Sequence, residues 1–173
     1  STDKMVGDFG EKDGNVWLAK GLLYHNQENY KKAIACYEKV LKFDGDKNSA
    51  WYNTGLIYSE QGNYKIAIEC YDKAGSHAYA WNDKGLAYEK LENHKKAIEC
   101  YDKAIEINPE FGYPWNNKGN IFFNNSENYK KAIECYDKAT KIDDGDDVAW
   151  RNMGLAYKKQ ENYKKAIECY DKA

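Results

Sequence analysis

The side chains most able to do chemistry are five cysteines, Cys36, Cys70, Cys100, Cys135 and Cys169, which invite a reading as thiolate metal ligands or redox centres. They stand 34, 30, 35 and 34 residues apart. If that spacing marks equivalent helices, neighbouring thiols lie at least one helix-packing distance apart, roughly 8–10 Å. Zinc needs four ligands around one point at about 2.3 Å, and a disulfide needs Cα atoms within about 7 Å. A ladder supplies neither. The cysteines therefore read as reduced, small apolar side chains, which fits a reducing, cytoplasmic compartment. His25, His77 and His94 are scattered, and His94 occupies a slot that the other copies fill with tyrosine, so it reads as half-buried packing. There is no glycine-rich phosphate loop, no His-Glu-x-x-His and no Gly-x-Ser-x-Gly. No catalytic residue, metal or cofactor is expected, and the chain does not read as an enzyme.

The cysteines belong to a longer phrase. Ala-Ile-Glu-Cys-Tyr-Asp-Lys-Ala occurs at Ala67–Ala74, Ala97–Ala104, Ala132–Ala139 and Ala166–Ala173, with a looser copy at Ala33–Val40. A Trp-x-x-x-Gly-x-x-Tyr/Phe group precedes each: Trp17/Gly21/Tyr24, Trp51/Gly55/Tyr58, Trp81/Gly85/Tyr88, Trp115/Gly119/Phe122 and Trp150/Gly154/Tyr157. Self-similarity at this period means stacked units, each burying its apolar face against its neighbours.

These motifs resemble the tetratricopeptide repeat, in five copies of a prokaryotic-type array. The family pattern runs Trp, Gly and Tyr, then Asn/Asp-Tyr, then Ala-x-x-x-Tyr/Phe, then Pro. Only Pro109 fills the closing proline; repeats one and four stop at Asp44-Gly45 and Asp144-Gly145. Lys20, Thr54, Lys84, Lys118 and Met153 replace the leucine usual before the glycine. The resemblance implies an all-α, right-handed α-solenoid superhelix, with a polar segment over 1–14 and repeats over about 15–47, 48–77, 78–111, 112–146 and 147–173.

Composition narrows the partners. The 26 Lys+Arg against 28 Asp+Glu give a net charge of −2, with one arginine, Arg151. That balance argues against nucleic acid and membrane surfaces. No apolar run of about 18 residues is present to span a bilayer, and Ser1-Thr2-Asp3-Lys4-Met5 lacks the apolar core of a secretory leader. Richness in Lys, Asn, Ile and Tyr hints at an AT-rich microbial genome.

Residues 1–14 have no periodicity and should fray, or pack Phe9 on the first repeat. First helices are expected over Asn15–Asn26, Asn48–Gln61, Ala78–Leu91, Gly112–Asn125 and Asp147–Gln160. Second helices are expected over Tyr30–Phe43, Tyr64–Ala74, His94–Ile107, Tyr129–Ile142 and Tyr163–Ala173. Asn29, Asn63, Asn93, Asn128 and Asn162 should cap the second helices. The five helical glycines cost about 1 kcal/mol each against alanine, so close approach of the paired helix is expected, with Ala33, Ala67, Ala97, Ala132 and Ala166 opposite. Glu69–Lys73, Glu99–Lys103, Glu134–Lys138 and Glu168–Lys172 have the favoured i,i+4 order. The lysine pairs Lys31-Lys32, Lys95-Lys96, Lys130-Lys131 and Lys164-Lys165 read as a solvated face rather than an RNA stripe.

Two copies break the period. Gly75-Ser76-His77 shortens the second repeat by four residues, which should cost its second helix a turn; Asn124-Asn125-Ser126 adds one residue to the fourth turn. At the far end Tyr163, Ala166, Ile167 and Tyr170 should leave apolar surface exposed, as in a chain cut from a longer array or one that associates end to end.

The resemblance places a binding groove along the first helices, at residues flanking each Trp and Gly. Two after each Trp are Ala19, Asn53, Asp83, Asn117 and Asn152; one after are Leu18, Tyr52, Asn82, Asn116 and Arg151. Two before are Asn15, Ser49, Tyr79, Tyr113 and Val148; one after each Gly are Leu22, Leu56, Leu86, Asn120 and Leu155. The groove is thus expected to be amide-rich, with Tyr52, Tyr79, Tyr113 and Phe123 as anchors. Asn53, Asn117 and Asn152 resemble the ladder with which some members grip a peptide backbone, since an amide both donates and accepts; bonding within the array is the competing role. The chaperone-type carboxylate clamp fails, because no register of three repeats supplies its lysines. The expectation is a protein–protein interaction scaffold holding a protein or peptide segment. RNA binding, end-to-end self-association through the last helix, and a regulatory module of a larger protein stand as rivals.

Overall fold

The computed structural model describes residues 12–75, 77–125 and 127–173; the expectation for Phe9 lies outside them. Among these residues the chain forms ten helices in five antiparallel hairpins. The first helices are α1 (Gly14–Asn26), α3 (Lys47–Glu60), α5 (Ala78–Lys90), α7 (Gly112–Asn124) and α9 (Asp147–Lys159). The second are α2 (Tyr30–Lys42), α4 (Tyr64–Lys73), α6 (His94–Ile107), α8 (Tyr129–Ile142) and α10 (Tyr163–Tyr170). The helices divide into two compact units, α1–α4 and α5–α10, at the short Gly75–His77 junction. As its four missing residues require, α4 has 10 residues where α6 and α8 have 14.

Four of the five hairpin turns are closed by the same asparagine cap. Asn29, Asn93, Asn128 and Asn162 accept from the backbone N–H three residues on, at 3.1–3.4 Å. Asn63 makes no such cap. The preceding residue takes a left-handed conformation each time: Glu28, Glu92, Glu127 and Glu161 at φ 47–59°, and Gly62 at 77°. Only Gly62 suits that backbone without strain. The fourth turn is enlarged: Asn128 N–H reaches Phe122 O, six residues back, where Asn93 reaches Tyr88 O, five back. Asp13, Asp46 and Asp146 cap α1, α3 and α9, a signal not drawn from the sequence.

The helical glycines do face their paired helix, but alanine is not the group that meets them. In every repeat the tyrosine of Ala-x-x-x-Tyr lays its ring on the glycine: a Cβ there would stand 2.4–2.6 Å from Cε1 of Tyr37, Tyr71, Tyr101, Tyr136 or Tyr170. The alanines line the seam beside it, with Ala33, Ala67, Ala97 and Ala132 fully buried. Within the first unit Tyr37, Val40, Ala50 and Ile57 form the core. In the second unit Tyr101 packs with Ala97 and Ile121, and Tyr136 with Ala132, Met153, Ala156 and Cys169. Ala166, expected at the surface, is buried, while Tyr163, Ile167 and Tyr170 are exposed; α10 ends at Tyr170 rather than Ala173.

The expected Glu–Lys i,i+4 pairs do not close among the described residues. Lysines cover aromatic rings instead. Lys32, Lys96, Lys131 and Lys165 lie 5.2–5.4 Å from the rings of Tyr24, Tyr88, Phe122 and Tyr157. Lys20 and Lys84, in the usual leucine slot, lie 4.5–4.6 Å from Trp17 and Trp81, and Lys73 sits 4.4 Å from Trp51. A solvated helix ion pair contributes only about 0.3–0.5 kcal/mol. A lysine over a ring gains comparable attraction and also buries its methylene stem.

Candidate functional site

In the second unit α5, α7 and α9 lie side by side, and a repeated hydrogen bond ties them together. Asn117 Nδ2 donates to Asn82 Oδ1 at 3.0 Å, and one repeat later Asn152 Nδ2 donates to Asn116 Oδ1 at 3.2 Å. Both bonds run from the residue two after a Trp to the residue one after the preceding Trp. Asn152 Nδ2 also reaches Asn120 Oδ1 at 3.2 Å, which accepts from the Tyr136 hydroxyl at 2.8 Å. Asn82 Nδ2 donates to Asp83 Oδ1 at 3.1 Å. These amides are joined to one another and fix the register of the helices. Among the described residues Asn117 Oδ1, Asn152 Oδ1 and Asn116 Nδ2 take no protein partner.

At the N-terminal ends of the same helices a cavity of about 600 Å³ opens, lined by Tyr79, Phe111, Tyr113, Asn116, Ile142 and Val148 with Glu110, Asp143, Asp146 and Asp147. Phe111 forms its floor: it is 8 % exposed, with its ring centroid 4.7 Å from Tyr79 and 5.7 Å from Tyr113. Those two tyrosines stay 60 % and 68 % exposed. Phe111 was not anticipated. The signal was a phenylalanine at the head of a first helix, where Asp13, His77 and Asp146 stand in other copies.

The remaining expected residues lie elsewhere. Phe123 is half-buried, 5.4 Å from Tyr129, against the hairpin core rather than in the cavity. Arg151 is exposed and pairs with Asp147 at 3.4 Å. In the first unit, Tyr52 packs 6.0 Å from Tyr71, and Asn53 Nδ2 donates to Ser49 O of its own helix at 2.8 Å.

Burial shifts several titratable groups. All five cysteines are free and buried. Burial pushes the thiols of Cys36, Cys70 and Cys169 up, and that of Cys135 to about 11, which keeps them protonated and unreactive. Burial lifts Tyr37 to about 12, and Tyr101 and Tyr136 beyond the ordinary phenol range. Tyr101 donates to Glu89, whose carboxyl is raised by burial against the lowering effect of that bond. Among the described residues no group of three or more His, Cys, Asp and Glu could hold a metal ion, and no helix is long and apolar enough to cross a membrane.

The same repeat logic appears in known proteins. Tetratricopeptide repeat models match residues 78–111 and 148–173, 49–77 and 100–134, and a TPR repeat model matches 21–62. The chain belongs to the tetratricopeptide repeat family. Its fold is that of solved members. A MamA protein is 25 % identical with a TM-score of 0.77, covering 92 % of this chain and 88 % of its own. YrrB, described as a TPR protein with an unusual peptide-binding site, is 25 % identical with a TM-score of 0.71, over 98 % and 89 %. Pseudomonas aeruginosa pilF, at 20 % identity and a TM-score of 0.81 over 92 % and 74 %, shares the fold. No curated protein matches in sequence.

Proposed function

We propose that this chain is a protein-interaction scaffold whose second unit holds an extended partner segment across α5, α7 and α9. One observation carries the reading: Tyr79 and Tyr113 are held open to solvent on a buried phenylalanine, beside a framework of amides already locked to one another. Large rigid aromatics exposed at a cleft lose little entropy on binding and serve as anchors. The asparagines act mainly as the frame of the site, with Asn117 Oδ1, Asn152 Oδ1 and Asn116 Nδ2 left to meet a peptide backbone. A likeness to a protein described as peptide-binding, YrrB, supports the same reading. RNA is disfavoured, since the lysines that could form a basic stripe lie over aromatic rings.

The test is calorimetry with a peptide selected from a random displayed library. The Tyr79→Ala/Tyr113→Ala variant should lose at least tenfold in affinity, about 1.4 kcal/mol. Unchanged affinity for every selected peptide removes the cleft as the site. The exposed Tyr163, Ile167 and Tyr170 on α10 favour a second reading, association between copies, which sedimentation of Ile167→Lys against the parent would reveal.

A further inference from the structure

The cleft under Tyr79 and Tyr113 carries charge of one sign only. Glu110, Asp143, Asp146 and Asp147 line it, and no lysine, arginine or histidine does. Asp146 caps α9 by accepting from Ala149 N–H at 3.0 Å, and Asp143 accepts from Gly145 N–H at 3.0 Å. Arg151 meets Asp147 only at 3.4 Å, and both side chains are more than half exposed, so one cation at the rim faces four carboxylates. The chain as a whole is close to neutral, with 26 basic against 28 acidic residues, so this bias is local. A further cavity of the second unit, about 510 Å³ between α5 and α6, is lined by Lys84, Lys96 and Lys103 against Glu99, Asp102 and Glu106 and has no net sign.

A second observation at the same place is independent of charge. Asn116 is 7 % exposed and lines the cavity. Its Oδ1 is taken by Asn152, while its Nδ2 meets no acceptor among the described residues. That amide is left to donate to an acceptor entering the cavity. A backbone carbonyl is such a group. The cavity, at about 600 Å³, falls within the range of sites that take a few residues or a small molecule.

We infer that the cleft takes an extended peptide segment bearing a lysine or arginine, whose cation sits among Glu110, Asp143 and Asp147 while Tyr79 and Tyr113 hold its stem and Asn116 Nδ2 donates to a carbonyl of the segment. The inference rests on the interaction-scaffold reading and names the partner chemistry for that site. Each part of the segment has its counterpart. The carboxylates attract the cation and steer its approach. The two phenol faces add cation–π attraction at the ring faces. The apolar stem lies along the exposed rings of Tyr79 and Tyr113, which rest on the buried Phe111.

The experiment titrates the full 15N-labelled chain with four nonapeptides of one Ser/Gly frame, whose central residue is lysine, arginine, norleucine or glutamate. The lysine and arginine peptides should shift the Asn116 side-chain amide and the Gly112 and Gly145 backbone amides, and should bind at least tenfold more tightly than the norleucine peptide. Glu110→Gln/Asp147→Asn, both at exposed positions, should bring the lysine peptide down to the norleucine level while leaving the norleucine affinity unchanged. Tyr79→Ala/Tyr113→Ala should weaken both. Raising salt should weaken the lysine and arginine peptides and leave the norleucine peptide unchanged. Equal binding of the norleucine or glutamate peptide at the same resonances overturns the cation and leaves the scaffold reading standing. Shifts confined to other residues, or none with any peptide, overturn both.

Discussion

Replacing Gly85 with alanine tests the packing rule that all five hairpins share. The new Cβ would stand 2.5 Å from Tyr101 Cε1, 2.8 Å from Cδ1 and 3.0 Å from Cζ. Ordinary carbon contacts sit at about 3.5–4.0 Å, so the ring must retreat by about 1 Å. It has nowhere to go: Tyr101 is fully buried, and its hydroxyl is tied to Glu89. Overpacking of this kind costs about 1–3 kcal/mol, while alanine returns about 1 kcal/mol in helix propensity. With the ring unable to yield, a net loss of about 1–2 kcal/mol is expected, a fall in Tm of roughly 2–8 °C. Gly154→Ala is the matched control, since its Cβ would stand 2.6 Å from a tyrosine, Tyr170, that is 39 % exposed and free to swing outward. That variant should be neutral or slightly more stable. Thermal and urea unfolding of both, followed by circular dichroism, decide the matter; a Gly85→Ala variant as stable as Gly154→Ala would refute the argument.

Other consequences follow from single features. Glu89 has a raised carboxyl pKa in the fold, so its contribution is fully present below the ordinary carboxylate value and is lost as pH rises through the folded value. Glu89→Gln, which still accepts from Tyr101, should therefore gain on the parent as pH climbs from about 4 to 7, seen in urea midpoints; a difference that does not change with pH contradicts it. Glu161 holds φ 59° where Gly62 holds 77° with open space around it. Glu161→Gly should gain a few tenths to about 1 kcal/mol, and Gly62→Ala should lose about as much. The same sign for both would remove left-handed strain as the cause. Cys135, lifted to about 11, should resist a thiol-specific disulfide reagent at pH 8 until the chain unfolds; prompt labelling of the folded protein would contradict its burial.

The helices were legible because each is written five times: Asn before every second helix, Trp and Gly inside every first one, and the missing residues at Gly75–His77 all mapped onto observed ends and turns. The partner of each glycine was not legible. Sequence spacing places Ala97 and Tyr101 on the same face of α6, and only the depth of the ring decides which one reaches Gly85. The charge pattern misled for an energetic reason, since solvated Glu–Lys pairs are too weak to outcompete the rings beneath the lysines. At the site Tyr79, Tyr113 and the asparagines were readable from the repeat. Phe111 was not, because it occurs once, in the loop that enters α7. Nor could spacing alone show that Asn117 and Asn152 turn to the preceding repeat rather than outward.

The central claim, that partners lie along the first helices of the second unit, is tested most directly by photocrosslinking. A selected peptide carrying a benzophenone side chain is irradiated on the full chain and its attachment points are mapped by mass spectrometry. The account predicts adducts on Tyr79, Tyr113 and the head of α9, and their loss in Tyr79→Ala/Tyr113→Ala. Adducts concentrated on α6, α8 or α10 would contradict it.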